Sequence, residues 1–517
     1  MPNLPLYTSI ADLPGYYYDA QKNRYFPLKG PIPGSSHASS SSSSAPHHKP
    51  VSDSTPTVNS YLKADLRTVK LIQARELYGD VIASGKARCN FKEKFQNFLA
   101  SKPVFWKFRG TDTMGDSALQ EMPINVDTLE GQRESSVLLT GNISGSLSFF
   151  GVGGGDQHIG HPVNCCPELV WPSAGENQMF GEVPGDIWQL SGASLQMSSN
   201  ISCIKLFKKC SPLVHDDVSD IQHALISTLG SDISGGSVYI LNLIEPLDFN
   251  RTIPVIRRRI HEVASFNCSI WTADCQSSGG RAVIGTNMGA ASVDMGTGRI
   301  SWILHGKSDI FALQLIHSEN VVLCGLRNGM IVTIDTRERQ EVAKRLLRHR
   351  IPYLPIDRRN SRTSSQQWYK LTGNIFPSCT VKMPSSISSL VSLQFDDRYF
   401  LASSMDGSVK LYDHRLIQRG AVQTYDGHAN SHTRVQLGVD PTETFVTSGG
   451  EDCKFRLWNI KSGKLIFEDK FGDAVPSTIC WRRAGRGQNG YLGCEANCSG
   501  AWLGSQGGIH YVNWPRT

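Results

Sequence analysis

No catalytic signature is legible in the 517 residues: a GxxxxGK[ST] phosphate loop, HExxH, GxSxG and a kinase catalytic loop are all missing. Enzymatic function is therefore the weakest of the readings open to the chain. The 13 cysteines are odd in number, and Cys165, Cys166, Cys480, Cys494 and Cys498 lack the paired spacing of a structural zinc site. We expect no metal and no cofactor. The opening MPNLPLYTSIADLPG has no basic-then-apolar leader, so an intracellular protein with reduced thiols is expected. No apolar run approaches the roughly 20 residues that cross a bilayer, which argues against membrane insertion. The excess of one charge sign is small as well, with 52 Lys and Arg against 46 Asp and Glu. A net +6 permits an acidic partner without demanding nucleic acid. FFGVGGGDQHIGH (149–161) lacks the lysine and following helix of a phosphate cradle and reads as an inter-strand loop.

What is abundant is glycine, 48 residues of it, punctuating short alternating apolar runs. That texture predicts many short antiparallel strands. One pattern is written twice, as LASSMDGSVKLYDHR (401–415) and FVTSGGEDCKFRLWNIKSGK (445–464). Each copy is a strand, a tight turn carrying an acid, and a second alternating strand, read as the inner half of a propeller blade. Five further units share the pattern, at 138–150, 225–243, 282–295, 321–337 and 492–514. Seven blades of about 40–45 residues need roughly 300, so the rest of the chain must lie in an N-terminal region and insertions. Long gaps place the insertions near 153–193 and 340–380, the first being an excursion or an eighth degenerate blade, the second a surface loop. VFWKF (104–108) is expected to give the last blade its outer strand and close the ring.

Ahead of the ring the composition divides the chain further. Residues 1–34 are rich in Tyr, Pro and Gly, and their rings call for burial, either in docking on a partner or against the chain's own propeller. The Ser-rich stretch 35–60 has too little apolar surface to order; its His37, His47 and His48 read as solvated rather than metal-binding. Residues 61–102 carry helical spacing, in Leu62, Leu66, Val69, Ile72, Leu77 and Val81 and again in Phe91, Phe95, Phe98 and Leu99. The propeller then occupies 103–517.

In the second repeat, His428, Ser448, Asp452 and Trp458 are placed to form a buried hydrogen-bond chain that stiffens the small sheet. Here the sequence resembles the WD-repeat family, whose signature runs from Gly-His to Trp-Asp, with Asn459 for the usual Asp and Tyr412 for Trp in the first copy. PGYYYDAQKNRYF further resembles the N-terminal motif of the WD-repeat family of damage-specific DNA-binding-protein and cullin-4 associated factor 4, formerly WD-repeat protein 21.

Two strand ends stand out, Ile334-Asp335-Thr336-Arg337 and Tyr412-Asp413-His414-Arg415. Each places an arginine in the turn leaving a blade, on one rim of the disc, where a planar, permanently charged guanidinium suits fixed contacts. The alternative is that Asp caps the turn and Arg braces a neighbouring blade. The pair resembles the doubled motif by which WD-repeat substrate receptors bind the damage-specific DNA-binding protein 1 adaptor of cullin 4 ligases, with Ile334 where an aromatic is usual. The resemblance implies a non-catalytic substrate receptor that raises a target's effective concentration beside a ubiquitin-loaded partner, acting in the nucleus, with the cytoplasm as second location. The competing reading is a scaffold that binds RNA or chromatin through Arg345, Arg348, Arg350, Arg358, Arg359 and Arg362 of the basic insertion.

Overall fold

A computed structural model describes residues 16–19, 24–27, 91–128, 131–153, 163–172, 183–189, 194–208, 223–231, 234–244, 254–306, 308–316, 319–337, 347–348, 370–373, 380–482 and 500–514. Their strands form seven antiparallel sheets of four or more strands, the blades of an all-β propeller. Blade 1 is built on Ala118–Thr128, Gly131–Gly141 and Ser146–Val152. Blade 2 runs from Ile201–Phe207 to Ile260–Ser265, and blade 3 from Ile270–Cys275 to Ile300–Gly306. Blade 4 comprises Ile310–Leu315, Val321–Leu326, Met330–Asp335 and Thr380–Lys382. Blade 5 comprises Ile387–Ser392, Tyr399–Ser404, Val409–Asp413 and Gln423–Tyr425. In blade 6 the strands are Leu437–Val439, Phe445–Gly449, Lys454–Asn459 and Leu465–Lys470. Blade 7 starts with Pro476–Trp481, Gly500–Ser505 and Gly508–Asn513.

The repeated hairpin is the middle pair of each blade and not its inner half. An earlier strand lies inside it, and these first strands touch one another in succession around the ring. They are harder to see in sequence because they serve a channel and a neighbouring blade at once. Most of the core lies between blades, as where Phe400 and Ile387 of blade 5 pack against Leu323 and Ile331 of blade 4. A recurring glycine near the end of the second strand makes this close approach feasible. A Cβ on Gly325 would sit 2.6 Å from Ile387 Cγ2, and one on Gly141 2.6 Å from Ile201 Cγ2. Each isoleucine begins the next blade.

Closure follows the expected route. Val104–Phe108 pairs antiparallel with Gly508–Asn513, Trp106 opposite Tyr511, and Trp106 Nε1 donates to Asn513 Oδ1 at 3.2 Å. Phe105, fully buried, stacks on Phe471 at 4.5 Å and meets Phe455 edge-on at 5.4 Å. Both ends of the propeller sequence thus share one blade.

The insertions do more than loop out. Of the first, Ile187–Gln189 and Ser194–Gln196 pair with Ser146–Val152 as an interrupted outer strand of blade 1, while Pro167–Trp171 adds a fifth strand to blade 7 beside Val104–Phe108. It is an excursion that reinforces two adjacent blades. The second was expected to be a surface loop, yet Lys370–Gly373 pairs with Ile300–Gly306 and Leu347–Arg348 pairs with Lys370–Gly373, extending the outer edge of blade 3. The unpaired outer strand of a blade is an open template, which this segment covers.

In the N-terminal unit, Tyr16–Asp19 and Arg24–Pro27 form an antiparallel hairpin with Tyr18 opposite Tyr25. The Ser-rich stretch, its histidines and the stripe from Leu62 to Val81 lie outside the described residues. Phe91–Ala100 is helical as the Phe spacing predicts, with Glu93 in its first turn. It packs on its own propeller: Asn97 Oδ1 accepts from Asn459 Nδ2 at 3.0 Å, and the Ala100 carbonyl from Trp514 Nε1 at 3.0 Å. Among the described residues no helix is long and apolar enough to cross a membrane.

Candidate functional site

The third strand of a blade ends on the same face as the first, because neighbouring strands alternate in direction. Asp335 and Asp413 end the third strands of blades 4 and 5, so their turns open on one face of the disc, in adjacent blades. The two turns have the same geometry. Asp335 Oδ1 accepts the Arg337 backbone N–H at 2.9 Å and Nε at 3.0 Å, and Oδ2 accepts Nη2 at 2.6 Å. Asp413 Oδ1 accepts the Arg415 N–H at 2.9 Å and Nε at 3.2 Å, and Oδ2 accepts Nη2 at 3.0 Å. The carboxylate both caps the turn and grips the guanidinium side-on. These hydrogen bonds hold both aspartates below the ordinary carboxylate range.

Burial is divided unequally within each pair. The Asp413 side chain is 5% exposed and Arg415 56%, against 26% for Asp335 and 65% for Arg337. Thus the arginines are aimed outward on fixed stems, each gripped by the aspartate of its own strand. The corresponding strand ends of blades 2, 3, 6 and 7 are Asn242, Asp294, Asn459 and Asn513, followed two residues on by Ile244, Gly296, Lys461 and Pro515. The Asp-to-Arg coincidence falls on blades 4 and 5 alone in that set.

One residue on this face escaped the sequence reading. Phe395, in the turn between the first two strands of blade 5, is 79% exposed. Its backbone N–H donates to Glu443 Oε2 at 3.1 Å, and Gln394 N–H bonds the same carboxylate, so the ring is presented on a braced turn. The signal was an aromatic inside LQFDDRYF, where a turn needs none. Leu416, beside Arg415, is also exposed.

The chain expected through His428, Ser448, Asp452 and Trp458 is only partly made. Ser448 Oγ and His428 Nε2 lie 3.1 Å apart, and Nε2 is 2.9 Å from the Gly449 carbonyl. Trp458 Nε1 donates instead to the Asp426 carbonyl at 2.9 Å. Asp452 is drawn to Arg456, whose Nη1 reaches Oδ1 at 2.9 Å, and Arg456 also holds Glu468 at 2.9 Å. A guanidinium 3% exposed cannot be left unpaired, so it takes the carboxylate that the histidine would have had. His428 Nδ1 is left buried without a partner, and burial pushes its imidazole below the ordinary value.

The opposite face and the axis hold a different arrangement. A cavity of about 430 Å³ runs along the axis, lined by first-strand residues such as Gln120, Lys205, Thr272, Gln314, Ser389 and Leu437. Arg434 enters it from just ahead of blade 6's first strand. Its Nη1 donates to the Ser202 carbonyl at 3.2 Å and to the Trp271 carbonyl, tying blade 6 across the channel to blades 2 and 3. Among the described residues no group of three or more His, Cys, Asp or Glu is gathered as a metal site would need. Of the arginine-rich insertion only Leu347–Arg348 is described, as backbone; its guanidinium groups lie outside the described residues.

Seven blades of four or more strands, closed by a strand from the other end of the ring, with a Trp-Asn strand end after a Gly-His turn, define a WD40-repeat propeller, a class that is typically non-catalytic. The family profile "WD domain, G-beta repeat" matches residues 377–413 and 420–459, which are blades 5 and 6. The chain is a WD40 repeat protein distantly similar to DDB1- and CUL4-associated factor 4 and to WD repeat-containing protein 21. It is 34% identical to DDB1- and CUL4-associated factor 4 of Homo sapiens over 82 residues, 16% of each chain. DDB1- and CUL4-associated factor 4-like protein 2 of Homo sapiens is 34% identical over 82 residues, 16% of this chain and 20% of its own. WD repeat-containing protein 21 of Schizosaccharomyces pombe is 24% identical over 166 residues, 31% of each chain. The matches to the two human proteins thus span a fifth or less of their length.

Proposed function

We propose that this protein is the substrate-recognition subunit of a cullin 4 RING ubiquitin ligase, docking on the DDB1 adaptor through the face that carries Arg337 and Arg415. The observation that carries the reading is the matched pair of side-on Asp–Arg turns at the third-strand ends of adjacent blades, with both guanidinium groups outward. The names of the similar human proteins, which state association with DDB1 and CUL4, support the same partners. A guanidinium carries five donors, of which Nε and Nη2 grip its own aspartate, and its planar fork suits backbone carbonyls and carboxylates of a partner. Its stem is pre-organised, which lowers the ordering cost of docking. The protein makes no bond itself in this scheme; it holds a target near a ubiquitin-loaded enzyme and raises the effective concentration. A nuclear location belongs to the same proposal and is checked by imaging the tagged chain.

The test is adaptor capture by Arg337→Ala, Arg415→Ala and the double variant, each checked for folding. Each single change is expected to weaken binding roughly 30-fold and the double change to abolish capture at micromolar adaptor. A well-folded double variant that binds like the wild type overturns the assignment. Recovery of RNA-processing factors, with neither adaptor nor cullin, points to the scaffold reading.

A further inference from the structure

Arg434 differs from the two rim arginines in one chemical respect. Arg337 and Arg415 each give their Nε–H and Nη2–H edge to an aspartate. Arg434 uses both Nη1 hydrogens on the carbonyls of Ser202 and Trp271, which fixes the plane of the group. Its Nε–H and Nη2–H edge, the edge that fits an oxoanion side-on, has no acceptor among the described residues, and neither nitrogen is sealed from the cavity. Burial pulls this guanidinium downward in pKa, and no carboxylate among the described residues acts to offset it. An arginine nevertheless stays protonated.

The acids around the cavity are already engaged. Glu121 accepts from Trp502 Nε1 at 2.8 Å and lies 3.4 Å from Arg482. Asp440 accepts the backbone N–H groups of Thr444 at 2.8 Å and Phe445 at 2.6 Å, and Glu443 braces the Phe395 turn. Asp274 accepts the Leu315 N–H at 2.7 Å and is 3.8 Å from Lys205 Nζ. On the side of blades 2 and 3, two cations, Lys205 and Arg434, therefore stand against one carboxylate, Asp274, which lies beside Lys205. A confined channel with low-dielectric walls focuses that uncompensated positive charge.

We propose that the central cavity is a binding site for an oxoanion, a carboxylate or phosphoryl group, held side-on by Nε and Nη2 of Arg434 with Lys205 as the second cation. Arg434 marks the end of the channel opposite the rim arginines, since it precedes the start of a first strand whereas Arg337 and Arg415 follow the ends of third strands; Gln394, Phe395 and Glu443 line the channel's other end. The site therefore stands whether or not the adaptor docks, and its test contains no adaptor.

The full chain is titrated calorimetrically with inorganic phosphate and with three capped peptides, Gly-Gly-Xaa-Gly-Gly, in which Xaa is glutamate, phosphoserine or glutamine. Phosphate and at least one acidic peptide are expected to bind, and the glutamine peptide is not. Preference for phosphoserine over glutamate assigns a phosphorylated ligand, and the reverse a carboxylate. Arg434→Gln is expected to lower affinity roughly tenfold or more, Arg434→Lys to fall between, and Lys205→Gln to lower it less. Failure of every anion to bind, or wild-type affinity in folded Arg434→Gln, overturns the proposal. Because loss of the cross-channel bonds risks unfolding, wild-type crystals soaked in tungstate give a second reading. An anomalous peak against Nε and Nη2 is expected, and its absence at saturating tungstate overturns the site.

Discussion

The two faces of the ring use the same functional group in opposite ways. On one, Arg337 and Arg415 stand exposed with their charge already met by Asp335 and Asp413. On the other, Arg434 is hemmed in by the channel and fixed by two carbonyls, with no carboxylate partner among the described residues. A guanidinium supplied with its own aspartate is a rigid post for a protein surface, which needs orientation more than attraction. One withheld from any acid, in a cavity, is suited to a small charged group that brings the missing counter-ion.

That comparison requires both faces to belong to one closed ring, so the largest effect is expected from opening it. Phe105→Ala removes a fully buried ring from the closing strand and is expected to destabilise the protein by about 3–5 kcal/mol. Thermal melting measures it, and adaptor and anion binding should fall together at temperatures where the variant has melted. Independent loss of only one function would break the shared-ring premise.

Acid provides a second probe of the frame. Burial lowers the His510 pKa from 6.5 to about 4. Below pH 6.5 the unfolded chain therefore binds a proton that the folded chain refuses. The stability from this residue is present in full above pH 6.5 and is lost as pH falls towards 4, on the order of 3 kcal/mol. Melting temperature should drop across that window, and His510→Phe should make the drop shallower. An unchanged slope would mean that the ring is protonated in place.

Phe395→Ser sharpens the docking face. With the ring 79% exposed, melting should stay within a degree or so of wild type, while adaptor affinity falls roughly tenfold if the aromatic anchors the partner. The smallest effect is expected from Arg434→Gln on adaptor capture, less than about twofold once corrected for folded fraction, because the two faces carry separate functions. A large loss would join them into one site.

Much of the fold was legible because blades are encoded locally. All seven central hairpins fall where a tight turn divides two alternating runs, as at Gly329 and Gly407, whose φ of 82° and 81° suits glycine. The closing strand was legible because VFWKF is a strand with no partner of its own. Pairing between distant segments was not: nothing in Lys370–Gly373 says that its register is with Leu304, His305 and Gly306. The rim pair showed itself through tandem repetition. The hydrogen-bond chain in blade 6 was less legible because Arg456, a buried charge four residues from Asp452, competes with His428 for that carboxylate. Arg434 sits in a loop with no local pattern, and its meaning comes from carbonyls 232 and 163 residues away.

The shared last blade also has a consequence in time. Val104–Phe108 leaves the ribosome early, but its partner Gly508–Asn513 begins 400 residues later. At about 5–20 residues per second the wait is roughly 20–80 s. Throughout it, a strand of three aromatics destined for the interior is in the cell with its mate still unmade. A nascent chain of this design has to be shielded until Gly508–Asn513 has been made, and premature termination anywhere before residue 508 releases a ring that cannot be zipped.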